Sequence, residues 1–576
     1  MRIGRIIAVG VVVLSLTGCL SHIPDSGAVS YGAEAYAPSS QDFVRTLVSP
    51  PTPNANPETL INEFLAAIAG DQGDYATSRL YLAPEARSLW RPEAGVRIYA
   101  DNLQVVFAHP PRGEDTYTYS GRQVGTIDQQ GHYENSPASM VLSESFSVRQ
   151  VGGQWRISSL ADGRALSESD VARAYRQMNI YFLNLSKHNV VPDSVYLPVN
   201  VGIATSLIRA LLAGPTQWLS PAVTTAIPFA TSLLAGSVPV QQGVAYVDLT
   251  LPNVPFAVAD RQAMSAQIIW TLKQLAEVAA VRITLGGVPL ILPGAGETQS
   301  RFAYSSFSPD VLTGDIAAYG IDDNGLIGIS DLLAKPTVKE IQSNANVDIA
   351  QFSNASISLD GSTIAGITPE GSLISGPLDG PFDLRATGIS NANWVAPSWD
   401  SDGNLWAVRN TPTQTQVYVI APDGNSVPVL AQPLIGHTVQ GFRISRDGSR
   451  AAFAVADSIS SKLYLSRVVW LSNGMDPRVR VEAPIELPWS GGTISSVHWM
   501  DATHLIVLTA ATPRSIWRVA IDGTEQVNLA GIVDPTAVAA APGMPILASD
   551  SDGFISALIG SSWHRLGTGR FPIYPG

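Results

Sequence analysis

Cysteine is almost absent from this chain: Cys19 is the single one in 576 residues. An exported chain stapled by disulfides carries an even set, so no internal disulfide framework is expected. Charge is scarce as well. Charged residues make up 14% of the chain, and the formal net charge is −13. That balance speaks against nucleic acid as a partner, because such binding is led by Lys and Arg contacts to phosphate. It also speaks against polybasic attachment to anionic lipid. No apolar run reaches the roughly 20 residues that a spanning helix needs. Residues 531–548 come nearest, but Asp534, Pro535, Pro542 and Pro545 break them. Common catalytic signatures are missing too. There is no His-Glu-x-x-His, no Gly-x-x-x-x-Gly-Lys-Ser/Thr loop and no Gly-x-Ser-x-Gly elbow. His498 and His504, six residues apart with Asp501 between them, lack the spacing of metal ligands and read as surface residues. The expectation is a protein that is not an enzyme and uses no cofactor and no metal.

What is present begins at the amino terminus. Arg2 and Arg5 precede the apolar run Ile6 to Leu14, and Leu16-Thr17-Gly18-Cys19 follows. A charged start, a short apolar stretch and small residues at the cut site read as a secretory signal peptide over residues 1–18. With cysteine immediately after the small pair, the stretch resembles the bacterial lipobox. That resemblance implies cleavage between Gly18 and Cys19, diacylglycerol on the Cys19 thiol and an acyl group on the new amino terminus. Two or more acyl chains make a stable anchor where one is marginal. The body is then expected at the outer face of the plasma membrane, in water and held by lipid. Residues 19–56, with Pro24, Pro38, Pro50, Pro51 and Pro53, read as an extended tether.

The bulk composition, 45% apolar with 49 Gly and 40 Pro, predicts a loop-rich, mainly β multidomain protein. Residues 57–165 read as an α+β domain. Pro57 sits at a helix start, and Leu60, Ile61, Phe64, Leu65 and Ile68 repeat at helical spacing. A second helix is predicted from about Tyr75 to Leu89. Strands follow at Leu103–Val105, Thr116–Tyr119, Met140–Val148 and Trp155–Ile157, the last two joined by a hairpin through Gly152-Gly153. Helices followed by a curling meander resemble the cystatin/NTF2-like group, which folds a sheet around an apolar pocket. In residues 178–292 the blocks ALLAGP, AIP, GVAYVDL, QIIWTL and VRITLGG succeed one another. They are predicted to build strands at Asn179–Leu183 and Val195–Val199, a helix Ala204–Leu212, and strands at Ser232–Leu234 and Gly243–Leu249. A helix Arg261–Leu275 and a strand from Val281 to Leu285 complete them. Asp248 is expected to make a hydrogen bond at its strand end. In this order the blocks resemble the GerMN domain.

Residues 305–576 repeat a turn signal. Asn324-Gly325, Glu370-Gly371, Asp423-Gly424, Asn473-Gly474 and Asp522-Gly523 have glycine spacings of 46, 53, 50 and 49. A second set is Asp360-Gly361, Asp402-Gly403 and Asp447-Gly448. Such pairs between alternating apolar residues mark hairpins, whose turns need positive φ. Two hairpins per 40–50 residues predict a β-propeller of about six blades. Its first and last segments are expected to share a blade, and Trp399, Trp406, Trp470, Trp499, Trp517 and Trp563 to pack between blades. Asp400-Ser401-Asp402-Gly403 and Asp550-Ser551-Asp552-Gly553 have oxygen-rich spacing, but neither reaches the bidentate Glu of a calcium loop, and both read as hairpin turns.

Lipobox, tether, NTF2-like segment, GerMN blocks and propeller, in that order, resemble the actinobacterial LpqB family from end to end. The resemblance implies an extracytoplasmic lipoprotein that serves the MtrA–MtrB two-component system. Its partner would be the outer domain of the sensor kinase, and its effect would fall on envelope and division. The rival reading of the same residues is a lipoprotein that binds or processes peptidoglycan or another wall glycan.

Overall fold

The computed structural model is described for residues 48–576 apart from 71–74, 102–105, 109–114, 138, 199–201, 253–256, 309, 311–315, 342–347, 379–384, 387–392, 413, 458 and 472–477; residues 106–108 and 385–386 are described in backbone only. The lipobox residues Gly18 and Cys19, the expected strand at Leu103–Val105 and the Asn473-Gly474 turn lie outside the described residues.

The first helical periodicity forms α1 (Pro57–Gly70), with Leu60, Ile61, Phe64, Leu65 and Ile68 all buried. Asn56 caps it, its side-chain oxygen accepting from the Thr59 amide at 2.9 Å. The predicted second helix does not run unbroken. It is a 3-10 turn, Ser78–Tyr81, followed by α2 (Pro84–Leu89). Pro84 has no amide to continue a helix and forces Ala83 into extended backbone at ψ 155°. Seven strands follow: β1 (Val96–Tyr99), β2 (Val106–Ala108), β3 (Thr116–Ile127), β4 (Tyr133–Asn135), β5 (Val141–Val151), β6 (Gln154–Ser159) and β7 (Arg164–Ser167). They form one sheet in the order β6-β5-β3-β1-β7, with β2 and β4 paired to β3. Phe64 of α1 sits among Tyr81, Trp90 and Phe146, with ring centroids 6.1, 5.6 and 6.2 Å away. These rings fill the space between helix and sheet where the resembling group folds its pocket. Residues of the predicted tether that are described lie against this domain. Thr52 binds Glu63, and Asn54 binds Gln154.

A Ser167–Asp170 capping box starts α3 (Glu168–Ala174), which leads into the second domain. There β8 (Tyr175–Leu183) and β9 (Val190–Pro198) form an antiparallel pair of their own. The segment expected as a strand from Val195 thus pairs with the one expected from Asn179, and the domain's main sheet is separate from both. That sheet is built from β10 (Ser232–Leu233), β11 (Val240–Gln241), β12 (Val244–Thr250), β13 (Ala280–Leu285), β14 (Val288–Pro289) and β15 (Thr298–Ser300). The parallel β12–β13 pair at its centre is bridged by α5 (Val258–Leu272), and α4 (Ile203–Ala213) packs beside α5. Ala263 to Leu272 of α5 are all buried, so this helix is covered nearly all round.

The remainder closes into six four-stranded blades. Blade one takes its innermost strand from the end of the chain, Arg570–Ile573, and adds Ala318–Asp322, Gly325–Ser330 and Thr337–Glu340. The expected sharing of a blade between first and last segments is what the pairing Tyr319 with Ile573 shows. Blades two to six start at the inner strands Asn354–Ile357, Asn393–Trp399, Val439–Ile444, Ile494–Trp499 and Pro535–Ala539. Each inner strand touches the next around a complete ring, so the sheets leave no open radial edge. Blades three and four are also joined at their rims by parallel pairing of Val429–Ala431 with Val479–Val481. Asp360-Gly361, Asp402-Gly403 and Asp447-Gly448 all turn between the first and second strands of their blades. The other predicted set is not one structural position. Asn324-Gly325 and Glu370-Gly371 join second to third strands, whereas Asp423-Gly424 and Asp522-Gly523 join third to fourth. Tryptophans do fill the gaps: Trp399 packs between blades two and three, Trp406 between three and four, and Trp499 between four and five.

Candidate functional site

The inner strands enclose a cavity of about 160 Å³ on the propeller axis, lined from all six blades. Much of its lining is small, as in Ala355, Ala396, Ala537 and Ala539, with larger apolar side chains such as Trp499, Leu508 and Phe571 between them. Three basic side chains stand among them. Arg443 and His498 occupy corresponding places on the inner strands of blades four and five, and Arg446 stands just beyond the end of the first of these. Gly441 makes this proximity possible: a Cβ there would meet the backbone nitrogen of Val497 at 3.0 Å. Arg443 donates through Nη1 to the carbonyls of Ala396 and Pro397, and its own carbonyl accepts from Trp499 Nε1 at 3.2 Å. Burial pulls its guanidinium down to about 10. Arg446 donates through Nη2 to the carbonyls of Ala540 and Pro575. Burial also lowers it, against the pull of Asp310 and Asp501. His498 is pushed well below the usual imidazole range by burial and then by the nearby charges of Arg443 and Arg446. The expectation of a surface histidine at 498 is thus corrected. Ring closure turns this strand position toward the axis.

His504 stays apart from His498 and pairs with Asp501, its Nδ1 lying 3.1 Å from the carboxylate. Burial opposes the charge of His504, but the Asp501 hydrogen bond and field prevail and raise it. Among the described residues no cluster of three or more His, Cys, Asp or Glu is arranged to hold a metal ion. The Asp400 turn shows why its oxygen-rich sequence is structural. Oδ1 accepts from the amides of Asp402 and Asn404 at 3.0 Å each, and Oδ2 accepts from Asn404 Nδ2 at 3.0 Å and Trp406 Nε1 at 2.8 Å. Asp550 likewise accepts from the amides of Asp552 and Phe554. Asp248 ends its strand as expected, accepting from the Gly287 amide at 2.9 Å.

The turns of one propeller face carry the other two domains. Asp522, in the outer turn of blade five, accepts from Tyr196 Oη and Gln177 Nε2 at 2.8 Å each, and its carbonyl accepts from Asn135 Nδ2. One residue thereby joins all three domains. Asn184 Nδ2 donates to the Asp447 carbonyl at 3.3 Å, and His188 Nδ1 lies 3.4 Å from Asp402. On the flank of blade four, Trp218 Nε1 donates to Ala483 and Arg467 donates back to the Trp218 carbonyl. A second cavity, about 250 Å³, lies in this seam between Leu185, Asp402 and Trp470.

Sequence reasoning missed Arg443 and Arg446. The available signal was an arginine at an inner-strand position, Gly441-Phe442-Arg443-Ile444, where other blades place small or apolar residues.

Models of three protein families match in succession. Residues 50–172 match the N-terminal domain of lipoprotein LpqB. Residues 179–291 match the sporulation and spore germination domain called Germane, and 334–575 match the lipoprotein LpqB β-propeller domain. The lipoprotein LpqB of Thermobifida fusca is 27% identical, covering 100% of this chain and 99% of its own length. That of Streptomyces coelicolor is 28% identical over 99% of this chain and 97% of its own. Among solved structures, TolB from Acinetobacter baumannii is similar at a TM-score of 0.34 and 14% identity, over 47% of this chain and 70% of that one. With three domain families matched in order and relatives aligned along the whole length, the chain belongs to the LpqB family of lipoproteins.

Proposed function

We propose that this lipoprotein is a non-catalytic accessory of the MtrA–MtrB two-component system, anchored through Cys19 at the outer face of the plasma membrane. It binds the extracytoplasmic domain of the sensor kinase and so modulates signalling to envelope and division functions. Family membership supports the reading. The single structural observation that favours it is the Asp522 junction, which locks three domains into one body. A locked body with a closed propeller presents fixed surfaces, and fixed surfaces bind without the ordering cost of mobile ones. The face formed by the turns between second and third strands makes none of the described hydrogen bonds to the other domains, which leaves it for a partner.

The reading is tested by presenting the mature lipoprotein in nanodiscs to the purified outer domain of the kinase. Saturable binding that competes with excess soluble residues 48–576 is expected. Absence of binding, together with retention of the lipoprotein on purified wall material, would replace it with the wall-directed reading.

A further inference from the structure

The cavity on the propeller axis carries a charge opposite to that of the chain. The whole sequence has 48 Asp and Glu against 35 Lys and Arg. The cavity lining includes Arg443, Arg446 and His498 and no Asp or Glu side chain. Burial is what acts on Arg443, and no carboxylate among the described residues offsets it. Asp310 and Asp501 act on Arg446, which stands at the end nearer the second domain. Toward the opposite mouth the lining is neutral and polar, with Asn354, Ser495 and Thr536 at the starts of their strands.

Hydrogen-bonding capacity is also left unspent there. Arg446 is 8% exposed and Ser356 is 2% exposed, so both are buried within the wall. Among the described residues, the Nε of Arg446, the Oγ of Ser356 and the Oγ of Ser496 have no hydrogen-bond partner. Buried polar groups in folded proteins are nearly always satisfied, so unmet groups mark a place where something else supplies the acceptor. All three residues line this one cavity, and they come from blades two, four and five. A guanidinium with spare N–H groups and two hydroxyls is a donor set for the oxygens of an anion.

We propose that the propeller channel is a binding site for an oxyanion, a carboxylate or phosphate group on a slender ligand, entered from the face away from the second domain. Arg443 supplies charge, Arg446 Nε and the hydroxyls of Ser356 and Ser496 supply directed hydrogen bonds, and the alanine-rich wall admits a narrow stem but no folded partner. The site stands whether or not a sensor kinase is the docking partner.

The test uses the mature full-length protein with histidine isotopically labelled, titrated with sodium phosphate or sodium acetate against chloride at constant ionic strength. His498 is assigned by its loss in His498→Gln. A saturable shift of the His498 ring signal is expected, weakened at least tenfold in Arg443→Met and several-fold in Ser496→Ala. Saturation by phosphate alone identifies a phosphate-bearing ligand, and saturation by acetate alone a carboxylate. If Arg443→Met does not fold, Ser496→Ala carries the comparison. No saturable shift with either anion, or equal affinity in the wild type and the folded variants, overturns the proposal.

Discussion

Asp400 decides what the most acidic turn of the propeller is for. Its two oxygens are spent on backbone amides, Asn404 and the fully buried Trp406. Asp400→Ala strips partners from buried donors, each unpaired donor costing about 1–3 kcal/mol. A loss of roughly 2 kcal/mol or more in urea unfolding is expected, with no rescue by calcium. The Asp447–Arg450 pair is a second test at this scale. The atoms are 3.2 Å apart, with the two side chains 2% and 3% exposed. Breaking it from one side leaves a charge stranded, so Asp447→Ala should cost about 3–5 kcal/mol by the same measurement. His498 sets a pH dependence. Its folded pKa is lowered, so the unfolded chain takes up the proton first as pH falls through the ordinary histidine value near 6.5. Its stabilising contribution is present above that value and declines below it, while His504, raised by Asp501, acts in the opposite sense. Replacing His498 with Asn should therefore flatten the fall in melting temperature between pH 7 and pH 5. A fall as steep as in the wild type would contradict this. The Asp400 turn was legible in the sequence because Asp-x-Asp-Gly is a local signal. Arg443 and His498 were not, because pairing them needs two strands 55 positions apart brought side by side by the ring.

At the scale of elements, turn chemistry made the propeller legible. Gly361, Gly403 and Gly448 have φ of 71°, 77° and 74°, values that favour glycine, and they mark the same turn in three successive blades. The mixed identity of the other turn set was hidden, since Asn-Gly or Asp-Gly signals a turn without saying which strands it joins. The broken second helix was visible in principle through Pro84, whose effect overrode the apolar spacing around it. Closure of the ring depends on the last strand. Removing residues 570–576 opens blade one and exposes the inner edge of Ala318–Asp322. The truncated protein should lose its single cooperative propeller transition in calorimetry and aggregate more readily. The Asp522 seam is equally specific. Asp522→Ala removes the acceptor for Tyr196 and Gln177 while sparing every blade. Scattering should then show an expanded particle, and calorimetry should resolve the propeller from the amino-terminal domains. An unchanged particle would mean that the remaining contacts, those of Trp218, Asn184, His188 and Asn135, suffice to hold the body together.

For the whole molecule, the domain order and the lipobox are read from sequence, whereas the docking of the other two domains onto one propeller face is not. That docking rests on pairs such as Asn135 with Asp522, 387 positions apart, for which no local pattern exists. Among the described residues no helix is long and apolar enough to cross a membrane. On the proposed reading attachment is through lipid on Cys19, and Cys19→Ser should then move the protein from the membrane to the soluble fraction. The most direct test of the proposed accessory role is crosslinking in living cells, followed by capture of the lipidated protein and mass spectrometry of what accompanies it. Recovery of the sensor kinase, lost when the propeller is deleted, is the predicted result. Recovery of wall glycan or wall-synthesis proteins with no kinase would contradict it.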